Sequence, residues 1–193
     1  MSLATEESKI KSSIKKAREF TEKYKKNGQL RSDLKKLTDL TLIHAPSNRW
    51  FHSIDELKRM IKLSSEVRII GPTYGFNFDD LDFECYELYL TTVNPFAKAT
   101  TKFSTNKTII SEIIPIVDEL YHEARKLLQS NNESEADFAE NLYAQMLRVL
   151  NIETLKNDEI LSIMTFLDPR FKNLYFNNSE LDRIKQNIFQ MSG

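Results

Sequence analysis

Three observations predict an all-α fold. Only four glycines and five prolines punctuate 193 residues, too little turn chemistry for a many-stranded sandwich or barrel. Apolar residues recur at spacings of three and four along most of the chain. Leu40–Ile43 is the one strand candidate, and four residues followed by Pro46 read equally well as an extended connector. The expectation is an irregular bundle of about six to eight helices.

The elements follow in order. Ile10, Ile14, Ala17 and Tyr24 mark one face of a lysine-rich helix from Glu6 to Lys26, stopped by Asn27-Gly28, and a shorter helix runs from Leu30 to Leu37. Ser53 with Glu56 reads as a capping box opening a helix to Arg68 through Ile54, Leu57, Ile61 and Val67. Gly71-Pro72 and Gly75 break the pattern. Leu81–Phe103 carries apolar residues on several sides, as a central helix would, and Pro95 is expected to bend or interrupt it. A further helix spans Ile109–Gln129, with Pro115 near its start. Ser134 is placed as the cap of a helix reaching Leu150. Asn157–Leu167, with Ile160, Ile163, Met164 and Leu167 facing inward, and Ser179–Met191 complete the set. No internal repeat is visible. By charge, residues 1–38 form a basic helical segment and residues 39–193 the helical core, expected to fold as one domain.

Composition narrows the class. With 40% hydrophobic and 28% charged residues the chain can bury a core. The single cysteine, Cys85, allows no internal disulfide, and no apolar run is long enough to span a membrane. A soluble intracellular protein is expected, and the opening Met-Ser-Leu and closing Ser192-Gly193 read as the ends of a piece cut from a longer one. The net charge of −1 conceals a gradient, since residues 1–36 hold eleven Lys/Arg against five Asp/Glu. Lysines spread around a helix suit solvent and phosphate alike, and Lys15 and Lys16 are the candidate phosphate contacts on it.

The remaining chemistry is sparse. His44, His52 and His122 lack a second Cys or His at zinc-ligand spacing, and Cys85 sits among apolar neighbours, as a buried inert thiol would. Asp79, Asp80, Asp82 and Glu84 cluster where acids complement the start of a helix and stay solvated, which outweighs a cation site. No catalytic residue and no metal ligand are assigned. Arg49-Trp50 differs: a guanidinium able to pair a phosphate stands beside the only tryptophan, able to stack on a base, in a loop just ahead of a helix. The same pair read structurally would be a loop anchor and an ion-paired arginine.

Four blocks carry a resemblance. Arg49-Trp50 with Asp55, Leu57, Arg59 and Met60 resembles the Thr-Arg-Trp-Asn-Ser-Thr-Tyr-Asp-Met-Leu-x-Arg-Leu block of hAT-family transposases. Val93-Asn94-Pro95-Phe96 with Ala99-Thr100 is similar to their Leu-x-Pro-Phe-x-x-Ala-Thr segment, and Ile113-Ile114-Pro115 to their proline-containing helix start. Leu167-Asp168-Pro169-Arg170-Phe171-Lys172 matches their Leu-Asp-Pro-Arg-Phe-Lys block throughout. The blocks span about residues 40–176, in family order.

The resemblance implies the all-helical insertion that interrupts a ribonuclease-H-like core, whose metal-binding carboxylates lie outside these blocks. The piece itself is thus expected to need no cofactor, the parent using Mg or Mn. It implies DNA as partner, with the Arg49-Trp50 pair near the transposon end and the Trp stacking on a base taken out of the helix. It further implies a nuclear location, no membrane, and oligomerisation, where present, through regions outside this chain. Asn48, Phe51 and His52 stand where the family has Thr, Asn and Ser, so an aromatic ring and an imidazole replace polar side chains beside the pair. Two functions stay open: a DNA-positioning module, or a domesticated scaffold for protein partners or transcriptional regulation, with Tyr74, Phe76 and Phe78 read either as its apolar patch or as packing over the helices. Asp168-Pro169 also has a structural reading, Asp capping a helix that Pro begins and Phe171 packing inward.

Overall fold

The computed structural model describes residues 3–44, 52–104, 109–129 and 133–191. Ten α-helices and two short 3-10 turns account for the regular structure, with no strand among the described residues. The helices are α1 (Leu3–Lys26), α2 (Gly28–Leu37), α3 (His52–Lys62), α4 (Ser64–Ile70), α5 (Asp80–Ser104), α6 (Ile113–Leu128), α7 (Glu133–Val149), α8 (Ile152–Asn157), α9 (Glu159–Leu167) and α10 (Asn178–Met191). The chain forms two compact units, Met1–Asn94 and Pro95–Gly193.

The all-α expectation holds, and the helix count rises for two local reasons. Leu63 turns out of helical geometry and divides the helix expected to reach Arg68 into α3 and α4. Asn151 and Asp158 each cap a new start, their side chains accepting from Thr154 N–H and Leu161 N–H, so a six-residue α8 precedes α9. Leu40–Ile43 forms no strand, and its buried Leu42 pins it as a connector. Ser53 and Glu56 are the second and fifth residues of α3, and both are buried. Ser134 likewise falls within α7. Pro95 is accommodated inside a continuous α5.

In the first unit α1 supplies the spine. Ala17, Phe20 and Tyr24 face Leu30 and Leu34 of α2, Leu57 and Met60 of α3, and Val67 and Ile70 of α4. Phe20, absent from the periodicity read above, is fully buried and meets Phe76 and Phe78 edge-on, each at 5.2 Å between ring centroids. Gly71, which opens the 3-10 turn Gly71–Tyr74, is there because a Cβ would stand 2.4 Å from the Phe76 carbonyl oxygen. Gly75 closes that turn at φ 85°, a left-handed conformation that glycine adopts without a Cβ clash. The turn is tied to α2 by Tyr74, whose hydroxyl donates to Asp33 at 2.6 Å.

The second unit is organised by α6, which packs in two directions. Ile116, Val117, Leu120, Tyr121 and Ala124 form one cluster with Ala99. Ile114, two residues back, enters a second cluster with Ile163, Phe176 and Ile184. Ile152 and Leu155 of α8 pack against both clusters. On α9, Ile163 is buried as expected, but Ile160, Met164 and Leu167 are exposed, and Ser162 and Thr165 are buried instead. The small hydroxyl side chains let α9 approach its neighbours closely, and each finds a carbonyl: Ser162 donates to Glu159 O and Thr165 to Ser111 O.

Phe20→Ala is expected to lower unfolding free energy by about 3–5 kcal/mol, by loss of burial and of two ring contacts. Ile69→Ala, at an exposed position of α4, should change it by less than about 0.5 kcal/mol. Urea denaturation of the two variants measures the difference.

Candidate nucleic-acid interface

The basic helix α1 divides its lysines between solvent and the fold. A 100° step separates successive residues on a helix, so neighbouring Lys15 and Lys16 leave it in different directions. The Lys15 side chain is 76% exposed, with only a loose 3.8 Å pairing to Glu19. Lys16 is turned inward. Its Nζ donates to Asp82 at 2.6 Å and to the Asn77 carbonyl at 3.2 Å, and lies 5.8 Å from the Phe78 ring centroid. Lys23, two turns on, repeats the arrangement, donating to Tyr74 O at 2.8 Å and lying 5.6 Å from the Phe76 centroid. Two lysines of α1 thus hold the segment 74–82.

That segment contains the acidic cluster. Asp79 and Asp82 cap the start of α5 reciprocally: Asp82 N–H donates to the Asp79 side chain at 3.0 Å and Asp79 N–H to the Asp82 side chain at 3.2 Å. Asp80 pairs with Arg68 at 2.7 Å. Asp82 is buried rather than solvated, contrary to the sequence expectation. Burial pushes its carboxyl up, but the Lys16, Ser13 and Asp79 hydrogen bonds together outweigh that and hold it below the ordinary value. Among the described residues no three His, Cys, Asp or Glu side chains come together as a cation site. Burial raises the Cys85 thiol, the direction of an inert cysteine.

Arg49 and Trp50 lie outside the described residues. The chain leading toward them is firmly placed. Leu42 is buried, Arg59 of α3 donates to Thr41 O at 2.7 Å, and the His44 ring nitrogen Nδ1 stands 3.3 Å from the Thr21 hydroxyl and 3.7 Å from the Glu56 carboxylate. Glu56 is itself buried and accepts the Thr21 hydroxyl proton. A polar side chain is tolerated in such a place when its oxygens find hydrogen-bond donors. No local pattern announces this cluster, since Thr21, His44 and Glu56 belong to three different segments.

The other blocks of the resemblance serve packing. Val93 and Ala99 of α5 and Ile114 of α6 are buried. Leu167–Lys172 is not the start of a helix. Asp168 ends α9, and residues 169–175 form turns. The Asp168 carboxylate accepts the Ser111 hydroxyl at 2.7 Å, the Arg170 N–H at 3.0 Å and the Arg170 guanidinium at 2.8 and 3.0 Å. Arg170 also donates to Glu112 at 2.8 Å and lies 4.8 Å from the Phe171 ring centroid. Phe171 is half-buried, edge-on to Tyr175. Lys172 adopts φ 43°, held there by its N–H bond to Asp168 O. The Arg170 guanidinium holds the Asp168 carboxyl well below the usual carboxylate range, with the Ser111 hydroxyl assisting. Tyr74, Phe76 and Phe78 pack against the first core, the second of the two readings given for them.

Against known proteins, the chain is similar to the human zinc finger BED domain-containing protein 4. The likeness is 23% identity over 153 residues, covering 77% of this chain and 13% of that protein. The chain therefore spans about an eighth of that relative's length. No protein-family model matches the chain. No solved structure matches it significantly. Among the described residues no helix is long and apolar enough to cross a membrane.

Two measurements test these assignments. Lys16→Met should lower stability by about 1–3 kcal/mol, because it leaves the buried Asp82 carboxylate without its cation. The pH dependence follows from Asp33, Asp82 and Asp168, all held below the ordinary 3.8; Asp33 is lowered to about 2, first by Lys36 and then by the Tyr74 hydroxyl. A carboxyl lowered on folding contributes its full stabilisation above the unfolded value and loses it as pH falls through the folded one. Denaturation midpoints should hold above about pH 4 and fall toward pH 2, with a shallower fall in Asp168→Asn.

Proposed function

We propose that this chain is a helical module of an hAT-type transposase, or of a nuclear protein derived from one, that helps to bind and position DNA for a catalytic core elsewhere in its parent. The observation that carries the reading is the set of four sequence blocks in family order. The likeness to a human BED zinc-finger protein supports it, as does an outward-facing Lys15 on a helix of net positive charge. The chain itself is assigned no bond-breaking step, since the carboxylates that would hold Mg or Mn in such a core fall outside the blocks.

Within this reading the roles separate. Arg49 pairs a backbone phosphate and Trp50 stacks on an unpaired base. Lys15 adds a phosphate contact from α1. Lys16, already bonded to Asp82 and Asn77, acts chiefly by holding α1 against the segment 74–82.

Fluorescence anisotropy with a hairpin-ended DNA tests the assignment. Wild-type affinity should fall steeply with salt, and Trp50→Ala should weaken binding by about 1–3 kcal/mol. Lys15→Ala should weaken binding uniformly across sequences and reduce the salt slope by about 0.9. Equal affinity of wild type and Trp50→Ala removes Trp50 from the role, and no detectable binding of any hairpin DNA overturns the proposal.

A further inference from the structure

Seven residues complete two turns of a helix to within about 20°, so the cations of α1 fall into rows. Lys9, Lys16 and Lys23 run along one flank, and Lys11, Arg18 and Lys25 along another. Arg18 stands nine positions from Lys9, about half a rotation round the helix. The first row is committed to the fold, since Lys16 and Lys23 are bonded to Asn77, Asp82 and Tyr74. Arg18 in the second is not. It is half-buried, and its guanidinium makes no hydrogen bond or ion pair among the described residues. Its Nε is the one buried side-chain nitrogen or oxygen among them left without a partner. A buried donor in that state costs stability, and a bound anion is one of the few things that explain it.

The surroundings indicate which anion. Lys11 and Lys25, two turns away on either side, are exposed on the same flank, and Lys15, one turn back, is exposed beside it. The nearby carboxylates are engaged, Glu22 by Lys26 and Glu19 loosely by Lys15. From Lys11 to Lys25 the row extends about 21 Å along the axis, the reach of several phosphates at about 3.4 Å of rise per strand rather than of one small anion. The flank also borders Thr21, which stands 3.3 Å from the His44 ring, five residues ahead of Arg49 in the chain.

We propose that Lys11, Arg18 and Lys25 form a track for the DNA backbone, with Arg18 as its phosphate anchor. The inference rests on the DNA reading above and adds to it the face of α1 that meets the strand. The Arg18 guanidinium takes a phosphate by two parallel N–H···O bonds, one of them from the Nε that otherwise has no acceptor. No internal ion pair has to break for it to do so.

Fluorescence anisotropy with the hairpin-ended DNA, paired with urea denaturation of the DNA-free protein, tests the track. Arg18→Met keeps an unbranched stem and removes the fork. It should weaken binding roughly tenfold or more and reduce the salt slope by about 0.9, while its urea midpoint stays at or above that of wild type because an unmet buried donor is gone. Arg18→Lys keeps the charge, so it should recover the salt slope but only part of the affinity. Lys9→Met, which removes one charge from the opposite flank, should weaken binding by about threefold or less. Undiminished binding of Arg18→Met, or equal losses in Arg18→Met and Lys9→Met, overturns the track and leaves the DNA reading standing. A urea midpoint of Arg18→Met below that of wild type also overturns it, since Arg18 is then a packing residue. A wild type that binds no hairpin DNA overturns the track and the DNA reading together.

Discussion

The first unit depends on the grip of α1 on the segment 74–82. Phe20 meets the edges of Phe76 and Phe78, and Lys16 and Lys23 close over the same two rings while bonding to Asn77 and Tyr74 carbonyls and to Asp82. Each ring pair contributes about 0.5–1.5 kcal/mol beyond burial, and each cation over a ring about 0.5–1 kcal/mol. Because these contacts share residues, removing Phe20 disturbs them together, and the start of α5 loses its reference at Asp82. A helix that looks made for phosphate is therefore first a structural strut, with only part of its charge turned outward.

The Asp168–Arg170 turn plays the corresponding part in the second unit. It binds the exit of α9 to Ser111 and Glu112, the 3-10 turn that leads into α6. The Asp and Arg of the Leu-Asp-Pro-Arg-Phe-Lys block thus have a structural account in this chain, with the Asp held by several hydrogen bonds. Arg49-Trp50 is the block whose residue types have a nucleic-acid use, so the assignment of DNA contacts leans on that pair.

Helix α9 changes how the exposed apolar surface is understood. Periodicity correctly found that Ile160, Met164 and Leu167 share a face with one another, and then assigned that face inward because apolar stripes usually go there. The structure buries Ser162 and Thr165 in its place, since hydroxyls on a close-packed helix can be satisfied by nearby carbonyls. Pattern identifies which residues act together, whereas the neighbours decide which way they point.

Local rules were enough for the all-α class, for most helix positions and for the breaks at Gly71-Pro72 and Gly75, because helical spacing and turn residues act within a few positions. The resemblance likewise needed only ordered residues. Tertiary structure alone decided which of Lys15 and Lys16 faces solvent, that Ser53 and Glu56 are buried, and that Asp168 closes a turn instead of opening a helix. Each of these turns on a partner more than 30 residues away in sequence: Lys16 with Asp82, Glu56 with Thr21, Asp168 with Ser111. A hydrogen bond or ion pair acts over a few ångströms of space whatever the sequence separation, so the linear pattern carries no record of it until the chain is folded.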